Sequence, residues 1–230
     1  MSDGTEAAVT ARDISMSGPW GPVYGPVDLD IPAGGVTALV CPAGSGRTAL
    51  LMTLAGRMRP KTGTLSVFGQ TEPRRIFGAA ALAGIDEIDQ VAESVTVRDA
   101  VTEQLRWDAA WYRLVRRAGT AAMRAVCGPV FGDLPLPPLT EFVEELSELD
   151  RLLLRIALAD TSRPPLLVVG NLDYVTSDRN RELLVERLID LGRTQTVVTA
   201  TVNGVAHPAV HHITVANTTR AELVHGRKGE

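Results

Sequence analysis

The feature that most constrains the fold is the run CPAGSGRT, Cys41 to Thr48, which lies between a short apolar stretch and an Ala/Leu-rich segment. A phosphate-binding loop of the pattern G-x-x-x-x-G-K-[ST] leads from a strand into a helix whose N-terminus faces the phosphates. Gly44, Gly46 and Thr48 are the residues expected in such a loop. Cys41 replaces its first glycine and Arg47 replaces its lysine. The run predicts a nucleotide-binding architecture with altered phosphate chemistry.

Composition places few further limits on the chain. Its 230 residues are 45% hydrophobic and 22% charged, as expected for one globular unit with a real core. The formal net charge of −4 gives no overall electrostatic attraction to nucleic acid or to an anionic membrane. Two cysteines predict no disulfide framework and fit a reducing cytosol. No apolar run reaches the roughly 20 residues that span a bilayer, and the polar N-terminus lacks the layout of a signal peptide.

Hydrophobic patterning predicts an α/β core interrupted by helices. Strands are predicted at residues 27–31, 36–40, 64–68, 166–169, 196–200, 213–215 and 221–224, from period-two alternation or short buried runs. Helices are predicted at residues 49–58, 96 to about 125, 141–159 and 179–191. A Gly/Pro-rich break is expected at residues 128–138, and residues about 72–90 are expected to be irregular.

Several stretches, in order, resemble an ABC-type ATP-binding cassette. They are PAGGVTALVCPAGSGRTALLMTLAGRMRPKTGTLSVFG, SVTVRDAV, LSELDRLLLRIALAD at the signature helix, PPLLVVGNLD at the Walker B strand and TQTVVTATVN at the switch strand. The resemblance implies an α/β fold: a P-loop NTPase core with an antiparallel β subdomain and a helical insert. It implies a single domain over 1–230. Residues 1–90 and 160–230 would form the core and β subdomain, and residues 91–159 the helical subdomain with the degenerate signature helix.

The resemblance also implies a set of ligands and the residues that hold them. ATP and Mg²⁺ are the expected cofactors, with Thr48 as the metal ligand and no catalytic residue assigned. Trp20 is the expected adenine-stacking aromatic, and Tyr24 is an alternative; either could instead cap the β subdomain. The phosphates are expected to contact Pro42, Ala43, Gly44, Ser45, Gly46, Arg47, Thr48 and Ala49.

The positions where the family places its hydrolytic groups hold other residues. Gly170 and Asn171 occupy the places of the magnesium-ordering Asp and the water-polarising Glu. Glycine has no ligand atom, and an amide cannot accept a proton as a base does. In the signature segment, Glu148 and Leu149 replace the two glycines after Ser147. A carboxylate there would repel a triphosphate held by a second cassette.

The sensor glutamine and the switch histidine are also missing from their places. The glutamine should fall near Asp86 or Glu87, and the nearest one is Gln90. These acids are surrogate metal ligands or, more simply, part of a solvated acidic loop with Asp89. The histidine should fall near Val202. His207 comes five residues later and is interpreted as a loop residue.

Three hypotheses follow for function. The first is a cassette subunit of a membrane transport system that binds ATP with weak or absent hydrolysis. The second is a scaffold or regulatory protein that keeps the fold without nucleotide. The third is an active ATPase that uses relocated acids such as Asp173 or Glu87.

The first hypothesis carries expectations about partners and location. We expect a membrane-spanning transporter subunit and a second cassette, in a homodimer or heterodimer, and no nucleic acid. The expected location is cytoplasmic, peripheral to the inner face of the cell membrane. Trp107, Trp111 and Tyr112 lie in the helical insert, where they serve core packing or form a docking face. His207, His211 and His212 are expected to be surface or turn residues rather than metal ligands.

Overall fold

The computed structural model describes residues 7–19, 21–41, 46–85, 88–89, 91–92 and 94–215. Its strands are β1 (Ala7–Gly18), β2 (Gly21–Pro32), β3 (Val36–Val40), β4 (Thr62–Val67), β5 (Ala80–Ala83), β6 (Leu166–Asn171), β7 (Thr196–Thr201) and β8 (Val210–Thr214). Its helices are α1 (Arg47–Leu54), α2 (Pro73–Ala79), α3 (Val97–Asp108), α4 (Thr120–Phe131), α5 (Glu148–Ala159) and α6 (Asp178–Gly192). Within these described ranges, no helix is both long enough and apolar enough to cross a membrane.

The strands form two sheets. A parallel sheet has the order β5-β6-β7-β3-β8, and an antiparallel sheet has the order β2-β1-β4. In the parallel sheet β7 lies between β6 and β3, so the loops that follow these three strands emerge at one edge. Ligands of open α/β sheets bind at this carboxyl edge, where the strand order reverses.

The side chains of the parallel sheet alternate between two hydrophobic cores. Ala38, Leu167 and Val169 pack in the core formed with α3, α4, α5 and α6. Leu39 and Val168 face the other way, into the core formed with α1 and the antiparallel sheet. A strand buried on both faces reads as a continuous apolar run, because alternate residues meet different apolar layers.

The structure differs from the sequence expectation at residues 72–90. Part of that range forms α2 and β5 instead of an irregular segment. Pro73 opens α2, where its missing N–H is not needed. β5 is made of Ala80, Ala81, Leu82 and Ala83, all buried against β6. Small residues carry little strand propensity, so only the pairing with β6 identifies this strand.

The helical insert also differs from its expected form. The predicted helix from residue 96 to about 125 is two helices, α3 and α4, separated by residues 109–119. The end of this connection is tied to α3, because the Ala118 amide donates to Thr102 Oγ1 at 2.9 Å and Arg117 pairs with Asp99 at 2.9 Å. The expected break at residues 128–138 begins later than predicted, since α4 continues to Phe131 with Pro129 inside its last turn, and residues 132–138 form no helix or strand.

Candidate nucleotide site at the carboxyl edge of the parallel sheet

The site begins where β3 ends and α1 starts. Cys41 follows β3, is buried, and donates its amide to the Thr201 carbonyl at 3.0 Å. Burial raises the pKa of the Cys41 thiol to about 11, although the Arg47 charge opposes the shift. Pro42, Ala43, Gly44 and Ser45, four of the predicted phosphate contacts, lie outside the described residues. The described part of the site therefore consists of the start of α1 and the ends of β6 and β7.

Gly46 is required by the fold itself. It caps α1 with φ 115°, and a Cβ on it would lie 2.2 Å from the Val23 carbonyl oxygen. A side chain at this position would strain the backbone and displace β2. A Gly46 variant would therefore disturb folding before it tested phosphate binding.

Arg47 is tied to the end of β6. Its guanidinium Nη1 donates to Asp173 Oδ2 at 2.9 Å and makes a longer contact of 3.4 Å with Asn171 Oδ1. Only 14% of the Arg47 side chain is exposed. An arginine fork can bridge two acceptors in this way, whereas a lysine is a single point charge. The charge that replaces the loop lysine is thus neutralised inside the chain.

Asp173 is the centre of this network. It lies in a 3-10 turn, Leu172–Tyr174, directly after β6. Its carboxylate also accepts from Thr201 Oγ1 and from the Val202 amide, both at 2.9 Å. Burial would raise the pKa of Asp173, but the hydrogen bonds from Arg47, Thr201 and Val202, together with the Arg47 charge, hold that pKa below its ordinary value. The structure thus brings Asp173 into the site, which was one of the alternatives open from sequence.

The two positions expected to carry Walker B acids are constrained by packing. A Cβ on Gly170 would lie 2.0 Å from the Gly84 carbonyl oxygen, so no side chain fits there without backbone movement. Thr199 Oγ1 donates to the Gly170 carbonyl at 2.8 Å. Asn171 uses its Oδ1 to cap the following turn by accepting from the Asp173 amide at 3.1 Å. Both residues therefore have structural tasks in addition to lacking an acid.

The remaining described residues fit a phosphate better than a metal. Thr48 and Ala49 lie in the first turn of α1, where backbone N–H groups favour anions. The Thr48 hydroxyl has no hydrogen-bond partner among the described residues, and a hydroxyl at this position would be the protein ligand of a magnesium ion. Asp173 is the nearest acid identified at the site, and Arg47 engages it. A phosphate group therefore fits the start of α1, while a magnesium ion would find one free hydroxyl.

The adenine-stacking candidates have different outcomes. Trp20 lies outside the described residues. Tyr24 is buried, and its hydroxyl donates to Thr53 Oγ1 at 2.8 Å. Its ring is thus part of the core beneath α1 and has no face open to a base. The alternative interpretation, a structural role in the β subdomain, holds for Tyr24.

At the end of β7, where the switch histidine is expected, the structure has Val202, whose contact with the site is made by its backbone amide. The Val202 amide donates to Asp173, and the side chains of Val202 and His207 line a cleft of about 790 Å³ beside it. His207 lies in the loop before β8, where its Nδ1 accepts from the Ala209 amide at 3.1 Å. His211 and His212 are exposed on β8. No cluster of metal-ligating side chains occurs within the described ranges.

The acidic loop expected near the sensor glutamine is only partly described. Asp86, Glu87 and Gln90 lie outside the described residues. Asp89 is not a solvated acid, because its carboxylate accepts from the Gly84 and Ile85 amides at 2.6 and 2.7 Å. It also forms an ion pair with Arg155 of α5 at 2.5 Å. The expectation of a solvated cluster is therefore wrong for Asp89, which ties the end of β5 to the signature helix.

Glu148, the acid in the signature segment, is bound within its own chain. Its carboxylate accepts from the Thr176 and Ser177 amides at 3.1 Å, from Thr176 Oγ1 at 2.9 Å and from Asn180 Nδ2 at 3.1 Å. The hydrogen bonds, that from Ser177 foremost, lower its pKa to about 2. Glu148 therefore stays ionised at neutral pH, and its lone pairs are directed at the start of α6.

The aromatic residues of the helical insert are not core residues. Trp107, Trp111 and Tyr112 are 78%, 95% and 77% exposed. The core-packing interpretation is wrong for all three.

Sequence reasoning underestimated two residues of the site, Asp173 and Thr201. Asp173 lies outside the family pattern, and Thr201 occupies the last position of an apolar strand. The available signal was their place directly after two buried strands, because parallel strands bring such residues to one edge.

Comparison with known proteins agrees with this geometry. The family model described as ABC transporter matches residues 24–169. The sulfate/thiosulfate import ATP-binding protein CysA of Mycolicibacterium paratuberculosis is 35% identical over 80 residues, which are 35% of this chain and 22% of that protein. The cytochrome c biogenesis ATP-binding export protein CcmA of Pseudomonas putida is 28% identical over 137 residues, 56% of this chain and 61% of that protein. The matched region thus spans less than two thirds of either relative.

Solved structures confirm the predicted α/β fold, a P-loop core with an antiparallel β subdomain and a helical insert. An ABC transporter ATP-binding protein from Pyrococcus furiosus has a TM-score of 0.68 at 17% identity, with 90% of this chain and 96% of that chain covered. An ATP-binding cassette of an ABC transporter in its ADP conformation has a TM-score of 0.69 at 13% identity, covering 98% and 100%. Since the family model matches more than half of its residues, this chain belongs to the ABC transporter family, as an ATP-binding cassette.

Proposed function

We propose that this chain is a cassette subunit of a membrane transport system that binds ATP with weak or absent hydrolysis. The observation that carries the proposal is the Arg47–Asp173 ion pair beside a strand end that holds Gly170 and Asn171. It leaves the start of α1 suited to an anion but provides no free carboxylate at the Walker B positions.

Three features support binding. The N-terminal turn of α1 offers backbone N–H groups, Thr48 has an available hydroxyl, and Arg47 supplies a cation at the helix start. Arg47 could exchange its contact with Asp173 for a phosphate oxygen by rotating its side chain. Bound Mg²⁺ would neutralise phosphate charge; among the described residues, Thr48 would hold it.

Two features argue against efficient hydrolysis. A general base must be able to accept a proton at neutral pH. Asn171 cannot accept one, and Asp173 is a weak base because its pKa lies below the ordinary value. Asp173 also accepts hydrogen bonds from three groups, which must be broken before it can orient a water molecule.

A second function, a scaffold without nucleotide, is favoured by the burial of Arg47. An ion pair whose arginine side chain is 14% exposed must be opened before a phosphate can contact that arginine. Breaking a paired and partly buried charge costs on the order of 1–3 kcal/mol. If that cost exceeds the gain from phosphate contacts, the fold is kept and nucleotide is not bound.

Isothermal calorimetry with Mg·ATP separates these functions. We expect binding in the wild-type chain and weaker binding after Thr48→Ala, with Thr120→Ala at the start of α4 as the matched control. No heat at millimolar ATP would favour the scaffold. Phosphate release that disappears in Asp173→Asn would instead favour an ATPase with a relocated acid.

Partners and location are part of the same proposal. The names of the import and export relatives describe ATP-binding proteins of transport systems. We infer a cytoplasmic location at the inner face of the membrane, beside a membrane-spanning subunit and a second cassette. Light scattering of the purified chain with and without Mg·ATP tests pairing with itself. A monomer under both conditions favours a heterodimer.

A further inference from the structure

The end of α3 and the connection from it to α4 expose an unusual amount of apolar surface. We define the aromatic loop as residues 107–117. Trp107, Trp111, Tyr112 and Leu114 are 78%, 95%, 77% and 92% exposed. Single exposed apolar residues are ordinary on protein surfaces, but four within eight positions form a patch of the kind that marks an interaction site.

The aromatic loop carries exposed rings, and its Leu114 lines a cavity of about 370 Å³ together with Leu105 and Val115. The Trp111 and Tyr112 rings meet edge to face with centroids 5.8 Å apart. At its end the loop is anchored to α3 through the Ala118 amide and the Arg117–Asp99 ion pair. Its apolar side chains therefore stand out from an anchored base, in position to insert into a soft apolar medium.

The charge of the aromatic loop is opposite to that of the chain. It contains Arg113, Arg116 and Arg117 and a single acid, Asp108, and Arg106 directly precedes it, whereas the whole chain carries a net charge of −4. Arg106, Arg113 and Arg116 are exposed and form no ion pair with any residue in the described ranges. An anionic surface would attract this loop and repel the rest of the molecule, which would orient the chain with the loop leading.

We infer that the aromatic loop docks on the surface of an anionic lipid bilayer. Tryptophan and tyrosine prefer the interface between water and hydrocarbon, where one part of the ring is apolar and another is wet. Arginines beside them keep their charged ends at the headgroups, and each basic residue adds attraction to anionic lipid. A bilayer accepts exposed rings without a preformed pocket, and the excess of arginines in and beside the loop is complementary to an anionic headgroup surface. The inference does not depend on nucleotide binding.

Vesicle flotation of the full chain tests the docking surface. We expect the chain to float with phosphatidylcholine vesicles that contain about 30% phosphatidylglycerol, and less with phosphatidylcholine alone. Trp111→Ser with Leu114→Ser should weaken binding about tenfold or more through lost apolar burial. Arg113→Glu with Arg116→Glu should weaken it at least as much.

Matched controls carry the same changes elsewhere on the surface. Phe77→Ser and the pair Arg74→Glu with Arg75→Glu alter exposed residues of α2 and should leave flotation unchanged. Equal binding by the loop variants and these controls would overturn the inference. So would binding that appears only when a membrane-spanning protein is reconstituted in the vesicles, because the loop would then recognise protein.

Tryptophan fluorescence gives a direct readout of insertion. The chain has three tryptophans, so Trp20→Phe with Trp107→Phe leaves Trp111 as the only one. We expect its emission to shift to shorter wavelength on anionic vesicles and to be quenched by brominated lipid chains. Emission that stays at the wavelength of a water-exposed ring, in a sample that floats, would show that another surface makes the contact.

Discussion

At the scale of single residues, the Arg47–Asp173 ion pair determines how much of the Arg47 charge is available to an anion at the site. The loop lysine of the family is free to contact phosphates, whereas Arg47 already has a carboxylate partner at 2.9 Å. Under the proposed function, the affinity for ATP is therefore set by the difference between two contacts of the same guanidinium. Removing the internal partner should change this balance directly.

Asp173→Asn should raise the affinity for ATP about tenfold, because it frees Arg47 and removes a negative charge beside the phosphates. Calorimetry in EDTA measures this effect without any contribution of Asp173 to metal binding. Asp178→Asn, an exposed acid of the same cleft, is the control and should change the affinity little. Unchanged affinity in Asp173→Asn would mean that phosphates do not contact Arg47.

Arg47→Lys alone should not create an efficient ATPase. It restores the family residue in the loop but leaves Gly170 and Asn171 without a carboxylate. Steady-state phosphate release should stay well below the usual enzymatic range of about 1–10³ per second. Turnover within that range would show that the Walker B assignment is wrong.

Gly170→Asp should destabilise the fold without restoring activity. The new Cβ would meet the Gly84 carbonyl oxygen at 2.0 Å, and we expect a loss of about 3 kcal/mol or more in the free energy of unfolding. Urea unfolding measures this loss. Gly119→Asp, at an open N-cap position, is the control and should be neutral or stabilising. A stable Gly170→Asp chain would mean that β5 moves easily.

The sequence predicted only some of the residues that form the site. The loop pattern correctly located the start of α1, and Gly170 and Asn171 were found by aligning one apolar run. The contact of Asp173 with Arg47 spans 126 positions of the chain. Nothing local to either residue signals it, because the parallel sheet creates the proximity.

At the scale of elements, Glu148 joins the first turns of α5 and α6. Its carboxylate completes the hydrogen bonding of backbone N–H groups at the start of α6, which would otherwise lack partners. Glu148, which departs from the family pattern in the signature segment, thus caps the N-terminus of a different helix, α6. This contact supports the position of the loop that carries Asp173.

Glu148→Gln should lower the melting temperature at neutral pH. The depressed pKa of Glu148, about 2, means that its stabilising effect is present above its ordinary value of 4.5 and is lost as the pH falls toward 2. Thermal unfolding between pH 3 and 7 should show the wild-type advantage shrinking with acid. Glu144→Gln, an exposed neighbour, is the control. A constant difference would mean that the charge is not involved.

Elements with a strong local pattern were predicted well, and those without one were not. The apolar β6 and β7 lie close to their expected ranges. The amphipathic α5 ends where predicted but begins at Glu148, because a separate 3-10 turn, Val143–Glu145, occupies the start of the expected range 141–159. β5 and the loop at 109–119 were missed. An alanine-rich strand becomes one only by pairing with β6, and the loop is set by the Arg117 and Ala118 contacts with α3.

At the scale of the whole molecule, carboxylates with opposite pKa shifts shape the stability. Glu148 and Asp173 have lowered pKa values, so they stabilise the fold at neutral pH and lose that effect in acid. Asp160 is buried at the end of α5, and burial raises its pKa from 3.8 to about 6 despite the opposing effects of the neighbouring Gln195 side chain and the Arg163 charge. Its ionisation therefore opposes folding.

Asp160→Asn should stabilise the protein at pH 7 by about 2 kcal/mol. As the pH rises from about 4 to 6, the unfolded chain releases the Asp160 proton before the folded chain does, so wild-type stability should fall across this window. Urea unfolding at several pH values should show that the variant lacks this fall. Asp133→Asn, on an exposed turn, serves as the control. A parallel fall in both proteins would assign it to another group.

The sequence by itself predicted an α/β core with a helical insert and the phosphate loop, because apolar periodicity and a glycine-rich turn are local patterns. The antiparallel β subdomain was implied only by the resemblance to a cassette. The absence of the Walker B acids stays a prediction, because it rests on aligning residues 166–169 with the apolar run of the family. Only the tertiary structure decided where Arg47 and Glu148 direct their charges and which aromatic rings face solvent. Those properties depend on which distant segments the two sheets bring together, and a charge acts on its neighbours in space, not in sequence.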